Sequence, residues 1–253
     1  MSITSLTPVI VVGASLVALS TALCLSKHNI PTIVLERHAD ISKHPRAIGF
    51  TSRTLEIYKN LGIAHHMPEI PKGFHLLRAR VESLTGKWYE STSWSDPKPS
   101  EKEPSNPEEK KEFSAFPGSS IPQDKLEAIL QTAALTRGVD IRRQHTLQDV
   151  CEDENGITAI VINTKGETVE IRGSYLIAAD GNRSLVREKL GIARSGRGHI
   201  QTMRSVLFRA LTPLEDFMKG VSQFNIDQPG LQAFMTTYMD GRWVLMFHDA
   251  RRH

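Results

Sequence analysis

The sequence predicts an α/β fold, and three observations predict it. An apolar run from Val9 to Val12 meets Gly13 and then a helical pattern; a second apolar strand beginning at Thr32 closes on Glu36; and later segments alternate apolar and polar residues in short pieces. The first run suits a strand buried on both faces of a parallel sheet. Gly13 supplies the tight turn. From Ala14 to Lys27 the apolar positions Leu16, Val17, Leu19, Ala22, Leu23 and Leu25 recur at helical spacing, which turns the N-terminal amides and dipole of that helix toward a pyrophosphate. Glu36 stands where a carboxylate accepts hydrogen bonds from ribose hydroxyls. Strand, turn, helix and strand in this order make a dinucleotide-binding βαβ unit.

The fingerprint of that unit, G-x-G-x-x-G/A, is present as Gly13, Ser15 and Ala18, so the middle glycine is lost. That glycine normally lets backbone and pyrophosphate approach closely. Ser15 is therefore expected either to push the phosphate outward or to hydrogen-bond it. The plain alternative is a βαβ crossover that holds no nucleotide. A nucleophile elbow of the G-x-S-x-G type fails, because Val17 replaces the last glycine and no strands precede it.

A chain of 253 residues can bury a sizeable core as one large domain or two modest ones. A formal charge of +3 is small for this length. The basic residues are scattered without interleaved aromatics, so nucleic acid is not an expected partner. Cys24 and Cys151 read as reduced core residues rather than a disulfide framework. No basic residue precedes the apolar N-terminus and no stretch reaches membrane-span length, so the expected location is the cytoplasm without stable membrane insertion.

After the βαβ unit, Ile41 to Gly49 reads as a loop and Thr51 to Leu61 as a helix stopped by Gly62. Phe74 to Glu90 predicts a strand pair turning at Thr85-Gly86. The stretch 95–112 is almost wholly polar and reads as a mobile surface insertion. Ile121 to Arg137 predicts a helix, with Leu126, Ile129, Leu130, Ala133 and Ala134 on one face and Gly138 ending it. Val139 to Arg142 and Thr146 to Cys151 read as strands, Ile157 to Thr164 and Thr168 to Ile171 as a hairpin, and Tyr175 to Ala179 as a buried strand running into Asp180-Gly181. Strands are expected again at Val206 to Ala210, Gln232 to Tyr238 and Trp243 to Phe247. The histidine groups His65-His66 and His248-Asp249 lack metal-ligand spacing, so no metal is expected.

Four motifs now stand in order: Val12-Gly13-Ala14-Ser15 with Glu36-Arg37; Pro45-Arg46-Ala47-Ile48-Gly49; Gln123 with Leu126-Glu127; and Ile177 to Arg187 around Asp180-Gly181. Together they resemble the FAD-dependent aromatic hydroxylases, single-component flavoprotein monooxygenases, with fungal secondary-metabolite members as the suggested type. The resemblance implies a Rossmann-like FAD-binding domain (1–73 and 113–204) interleaved with part of a mixed or antiparallel substrate-binding sheet (74–94 and 205–253). It implies FAD as cofactor, NAD(P)H and O2 as co-substrates, and hydroxylation of an aromatic, enolic or polyketide-like small molecule.

Carried over by position, the resemblance places Gly13 and Ser15 under the pyrophosphate and Glu36 at the adenosine ribose, with Ala14 and Arg37 beside them among the cofactor-binding residues. Arg46 and Ala47 approach the flavin side, Gln123 reaches the ribityl or phosphate region, and Asp180 with Gly181 forms the family's Asp-Gly motif. Ser184, also among the cofactor-binding residues, and Arg187 cap and brace the following helix. The plainer alternatives are a surface cation for Arg46, a helix-start polar residue for Gln123, and a capped strand-to-helix turn for Asp180 to Ser184. Trp243, Phe234, Tyr238 and Met235 are candidates for the substrate pocket or for simple core. No catalytic acid or base is singled out.

The family continues past the position of Phe247 into a second Gly-Asp motif, which the sequence lacks. The resemblance therefore implies a C-terminally shortened FAD site open to water. The alternatives are a non-redox relative acting as a binding protein, pericyclase or isomerase, and one half of a split flavoprotein. A second copy or a partner chain remains open as a partner.

Overall fold

The structure is a computed structural model, and it describes residues 7–68, 77–93, 114, 119–210 and 214–248. The expected polar insertion at 95–112 lies outside the described residues. In chain order the elements begin with β1 (Val9–Val12), α1 (Leu16–Lys27), β2 (Thr32–Glu36), β3 (Gly49–Phe50), α2 (Ser52–Asn60), β4 (Leu77–Val81) and β5 (Trp88–Ser93). Then come β6 (Ser119–Ser120), α3 (Gln123–Thr136), β7 (Asp140–Arg143), β8 (Thr146–Asp153), β9 (Gly156–Ile162), β10 (Thr168–Gly173), β11 (Tyr175–Ala178) and α4 (Leu185–Lys189). The last are β12 (Met203–Arg209), α5 (Glu215–Met218), β13 (Gln223–Gln228), β14 (Leu231–Thr237) and β15 (Arg242–His248). Two compact units form, one from Met1–Pro68 with Phe116–Ser195 and the other from Glu69–Ala115 with Gly196–His253.

The first unit is built in three layers. Its middle layer is an all-parallel sheet in the order β11-β1-β2-β7, with Val9 beside Tyr175 on one side and Thr32 on the other. All four residues of β1 are buried, as a central strand with two covered faces requires. Pleating sends alternate side chains to opposite faces. Val11 thus joins Ala18, Leu19, Ala22 and Leu23 of α1 and Leu126, Leu130 and Ala134 of α3. Ile10 and Val12 join Leu147, Ala159, Val161 and Ile171 of the antiparallel sheet β10-β9-β8.

Helix α1 corrects one part of the sequence reading. Its buried stripe is Ala18, Leu19, Ala22 and Leu23, and Val17, which fits the apolar periodicity, is 69% exposed. Cys24 is exposed too, because it follows Leu23 by a rotation of about 100° away from that narrow stripe. Cys151 is also exposed, near the end of edge strand β8 whose last three residues all face solvent. Neither cysteine is a core residue. Helix α3 ends as predicted: Gly138 adopts φ +78, and its amide donates to Leu135 O at 3.0 Å.

The second unit carries a six-stranded sheet in the order β12-β15-β14-β13-β4-β5, antiparallel except where β13 runs parallel to β4. Strand β13 occupies an interior position although the sequence showed only turns there. Its sequence, Gln-Phe-Asn-Ile-Asp-Gln, has two apolar residues, and they alternate so that Phe224 and Ile226 face the core. That core gathers Ala79, Val81, Met218, Val221, Phe224, Met235 and Trp243. Met235, Tyr238 and Trp243 are buried, which fits the core role, while Phe234 is half-buried beneath the Arg78 guanidinium. Among the described residues, no helix is long and apolar enough to cross a membrane.

Candidate functional site

Ligands of open parallel sheets bind in the crevice beyond the carboxyl ends of the strands. In the first unit that crevice is a cleft of about 360 Å³, and it brings together Gly13, Ala14, Ser15, Glu36, Arg37, Arg46, Gln123, Asp180 and Gly181. These residues come from the ends of β1, β2 and β11, the start of α3, and the loop after β2. Two expected site residues stand elsewhere. Ala47 lines a neighbouring apolar cavity of about 490 Å³, which shares Val17 and Gln123 with the cleft. Ser184 is buried, and its hydroxyl accepts from the Arg187 amide at 3.0 Å. It serves as the N-cap of α4, as the resemblance implied, and does not line the cleft.

The floor of the cleft depends on how closely β1 and β11 approach. The Gly13 amide donates to Leu35 O at 2.7 Å, and the Ala179 amide donates to Val12 O at 2.9 Å. Gly13 has φ +100, and a Cβ there would lie 2.5 Å from Ala179 O. The protein backbone itself therefore demands glycine at this turn.

Glu36 closes β2. Its Oε2 accepts from the Ala14 amide at 2.9 Å, and its Oε1 meets the His38 amide at 2.8 Å and the His38 Nδ1 at 2.6 Å. A carboxylate oxygen has two lone pairs, so Oε1 is filled and Oε2 keeps one acceptor position. Burial raises the pKa of this carboxyl, but the amides of His38 and Ala14, together with the His38 ring, outweigh it and hold the group below its ordinary 4.5. A folded-state pKa below the unfolded one contributes stability above the unfolded value and loses it as pH falls through the folded value. Glu36→Gln should therefore flatten the fall of melting temperature below pH 4.5. Parallel acid limbs for the two proteins would show that these bonds add no stability.

Ser15 is held by protein groups. It is the N-cap of α1, yet its hydroxyl donates to Glu127 Oε1 at 2.5 Å and accepts from Gln123 Nε2 at 3.3 Å. Gln123 also donates to Glu127 Oε1 at 2.7 Å, while its own Oε1 accepts from the Arg46 amide at 3.2 Å. The Gln123 carboxamide thus ties the loop after β2 to α1 and α3. Glu127 is the residue that sequence reasoning left without a role. The signal was present: a carboxylate at spacing 123, 127, 130 and 134 lies on the buried stripe of α3. His38, Asp40, Arg143, His145 and Arg183 also line the cleft, and the sequence assigns them no role there.

The donor and acceptor set fits a dinucleotide. No side chain caps the first turn of α1, which leaves its amides and dipole to an anion. Arg37, Arg46 and Arg183 line the cleft without a carboxylate partner among the described residues, and this suits a diphosphate. Asp180 Oδ2 accepts from the Val186 amide at 3.3 Å, but its Oδ1 is buried with no partner among the described residues. An orphaned carboxylate oxygen at the cleft fits a ligand hydroxyl. Among the described residues, no group of three or more metal-ligating side chains could hold a metal ion.

Comparison with known proteins gives the family. The family model described as an FAD binding domain matches residues 6–248. The chain is 34% identical to tetracenomycin A2 monooxygenase-dioxygenase of Streptomyces glaucescens, over 96% of this chain and 46% of that protein. It is 35% identical to aklavinone 12-hydroxylase RdmE of Streptomyces purpurascens, over 80% of this chain and 38% of that protein. A crystal structure of aklavinone-11 hydroxylase with FAD and aklavinone superposes with a TM-score of 0.80 at 30% identity, covering 96% of this chain and 45% of that one. The chain thus spans less than half the length of these relatives. It belongs to the FAD binding domain family.

Proposed function

We propose that this chain provides the dinucleotide-binding part of an FAD-dependent monooxygenase that hydroxylates an aromatic, polyketide-like small molecule, using NAD(P)H and O2 in the cytoplasm. The observation that carries this reading is the cleft where Glu36, the uncapped start of α1 and the orphaned Asp180 Oδ1 converge. The hydroxylase relatives supply the reaction class, and those cited are bacterial, whereas the motifs alone suggested the fungal type.

When bound, FAD supplies the redox chemistry that protein side chains lack. The chain's own residues bind and orient it. The remaining lone pair of Glu36 Oε2 accepts one adenosine ribose hydroxyl, the first turn of α1 faces the diphosphate, and Asp180 Oδ1 accepts a further hydroxyl. Arg46, its amide held by Gln123, places a cation at the cleft.

Titration with FAD, followed by flavin fluorescence and visible absorption, tests the reading. Binding is expected, and Asp180→Ala should weaken it by about 1–3 kcal/mol, because a hydrogen bond to a charged group is lost. NADPH oxidation stimulated by aklavinone would support the hydroxylase assignment. A protein that stays colourless in excess FAD would overturn it.

A further inference from the structure

We propose that Glu127 is a positioning residue: it holds the Ser15 hydroxyl away from its own helix and so keeps the first-turn amides of α1 open to the cofactor diphosphate. This rests on the reading that the diphosphate lies at that helix start. A serine at an N-cap ordinarily turns its oxygen onto the amide two or three residues ahead. The chain contains such a case, since Ser184 accepts from the Arg187 amide at 3.0 Å. Ser15 occupies the same position on α1 with extended backbone, φ −92 and ψ −173, and makes no such bond.

What differs is the acceptor beside it. Glu127 is buried at 4% exposure on α3, which packs against α1, and its Oε1 accepts from the Ser15 hydroxyl at 2.5 Å. The Gln123 carboxamide donates to both members of the pair. A carboxylate near a diphosphate costs electrostatic energy, so its presence calls for a compensating role. Steering Ser15 provides one, because a side chain now occupies the position where the fingerprint has its middle glycine.

The test compares Glu127→Ala with Glu127→Gln, each with and without Ser15→Gly, using ADP as the probe. Glutamine loses the charge but keeps an acceptor oxygen, so the alanine–glutamine difference isolates the acceptor. Glu127→Ala should bind ADP about fivefold more weakly than Glu127→Gln, the scale of one N-cap bond. In the Ser15→Gly background that difference should vanish. Without ligand, the amides of Val17 and Ala18 should exchange hydrogen more slowly in Glu127→Ala than in Glu127→Gln, because Ser15 now caps them. Lost packing alone would speed exchange.

Equal exchange in the two variants, or an affinity difference that persists with Ser15→Gly, would overturn the role of Glu127 while leaving the cleft assignment standing. Slowed exchange with ADP affinity indifferent to positions 15 and 127 would instead remove the diphosphate from this helix and overturn both readings.

Discussion

Alanine at position 13 will destabilise the first unit by roughly 2–6 kcal/mol, the sum expected for a non-glycine residue at positive φ and for overpacking against rigid neighbours. The added Cβ would stand 2.5 Å from Ala179 O and 3.0 Å from Ala179 C, both backbone atoms. No flexible side chain can move aside. Retreat of β11 would break the register that pairs Val12 with Ala178 and the 2.9 Å bond from the Ala179 amide to Val12 O. Retreat of the turn would pull the Ala14 amide from Glu36. Urea denaturation reads the first effect, and FAD titration reads the second. A midpoint within error of the wild type would mean that β1 and β11 do not approach so closely. The first glycine of the fingerprint is thus required by the sheet before any ligand is considered.

Replacing Trp243 with alanine should cost about 3–5 kcal/mol, as for other large buried aromatics. Trp243 is 1% exposed, pairs across the sheet with Phe208 and Thr237, and packs in the core with Phe224 and Met235. Trp243→Phe keeps most of the volume and should lose far less. Denaturant melts of the two variants distinguish the roles considered for this residue. A pocket-lining tryptophan would lose ligand affinity with little loss of stability, whereas a core tryptophan loses stability first. A loss below about 1 kcal/mol for the alanine variant would argue against the core assignment.

The first unit was legible where pattern and burial coincide. Four consecutive apolar residues announced β1 because both faces of that strand are covered. Gly138 announced the end of α3 because its conformation is left-handed. Periodicity failed where a helix is apolar on more than the side it buries, as at Val17 and Cys24. It also failed at β13, where two apolar residues suffice because neighbouring strands supply the rest of the core. In the cleft, the residues at the carboxyl ends of β1, β2 and β11 could be read from motif order. The partnership of Ser15 with Glu127 could not, since it joins residues 112 apart through the packing of two helices.

The interleaving of the two units has a consequence for synthesis on the ribosome. β1 takes β11 as its neighbour, so the nascent chain carries that apolar strand with one row of unpaired backbone N–H and C=O groups until Tyr175 has emerged. At about 5–20 residues per second the wait is on the order of ten seconds. Meanwhile the whole of β4 and β5, which belong to the other unit, has been threaded out between them. Elongation stalls within this interval prolong the exposure of an aggregation-prone edge, so yield in the soluble fraction should depend on translation speed and on chaperones that shield the first strand.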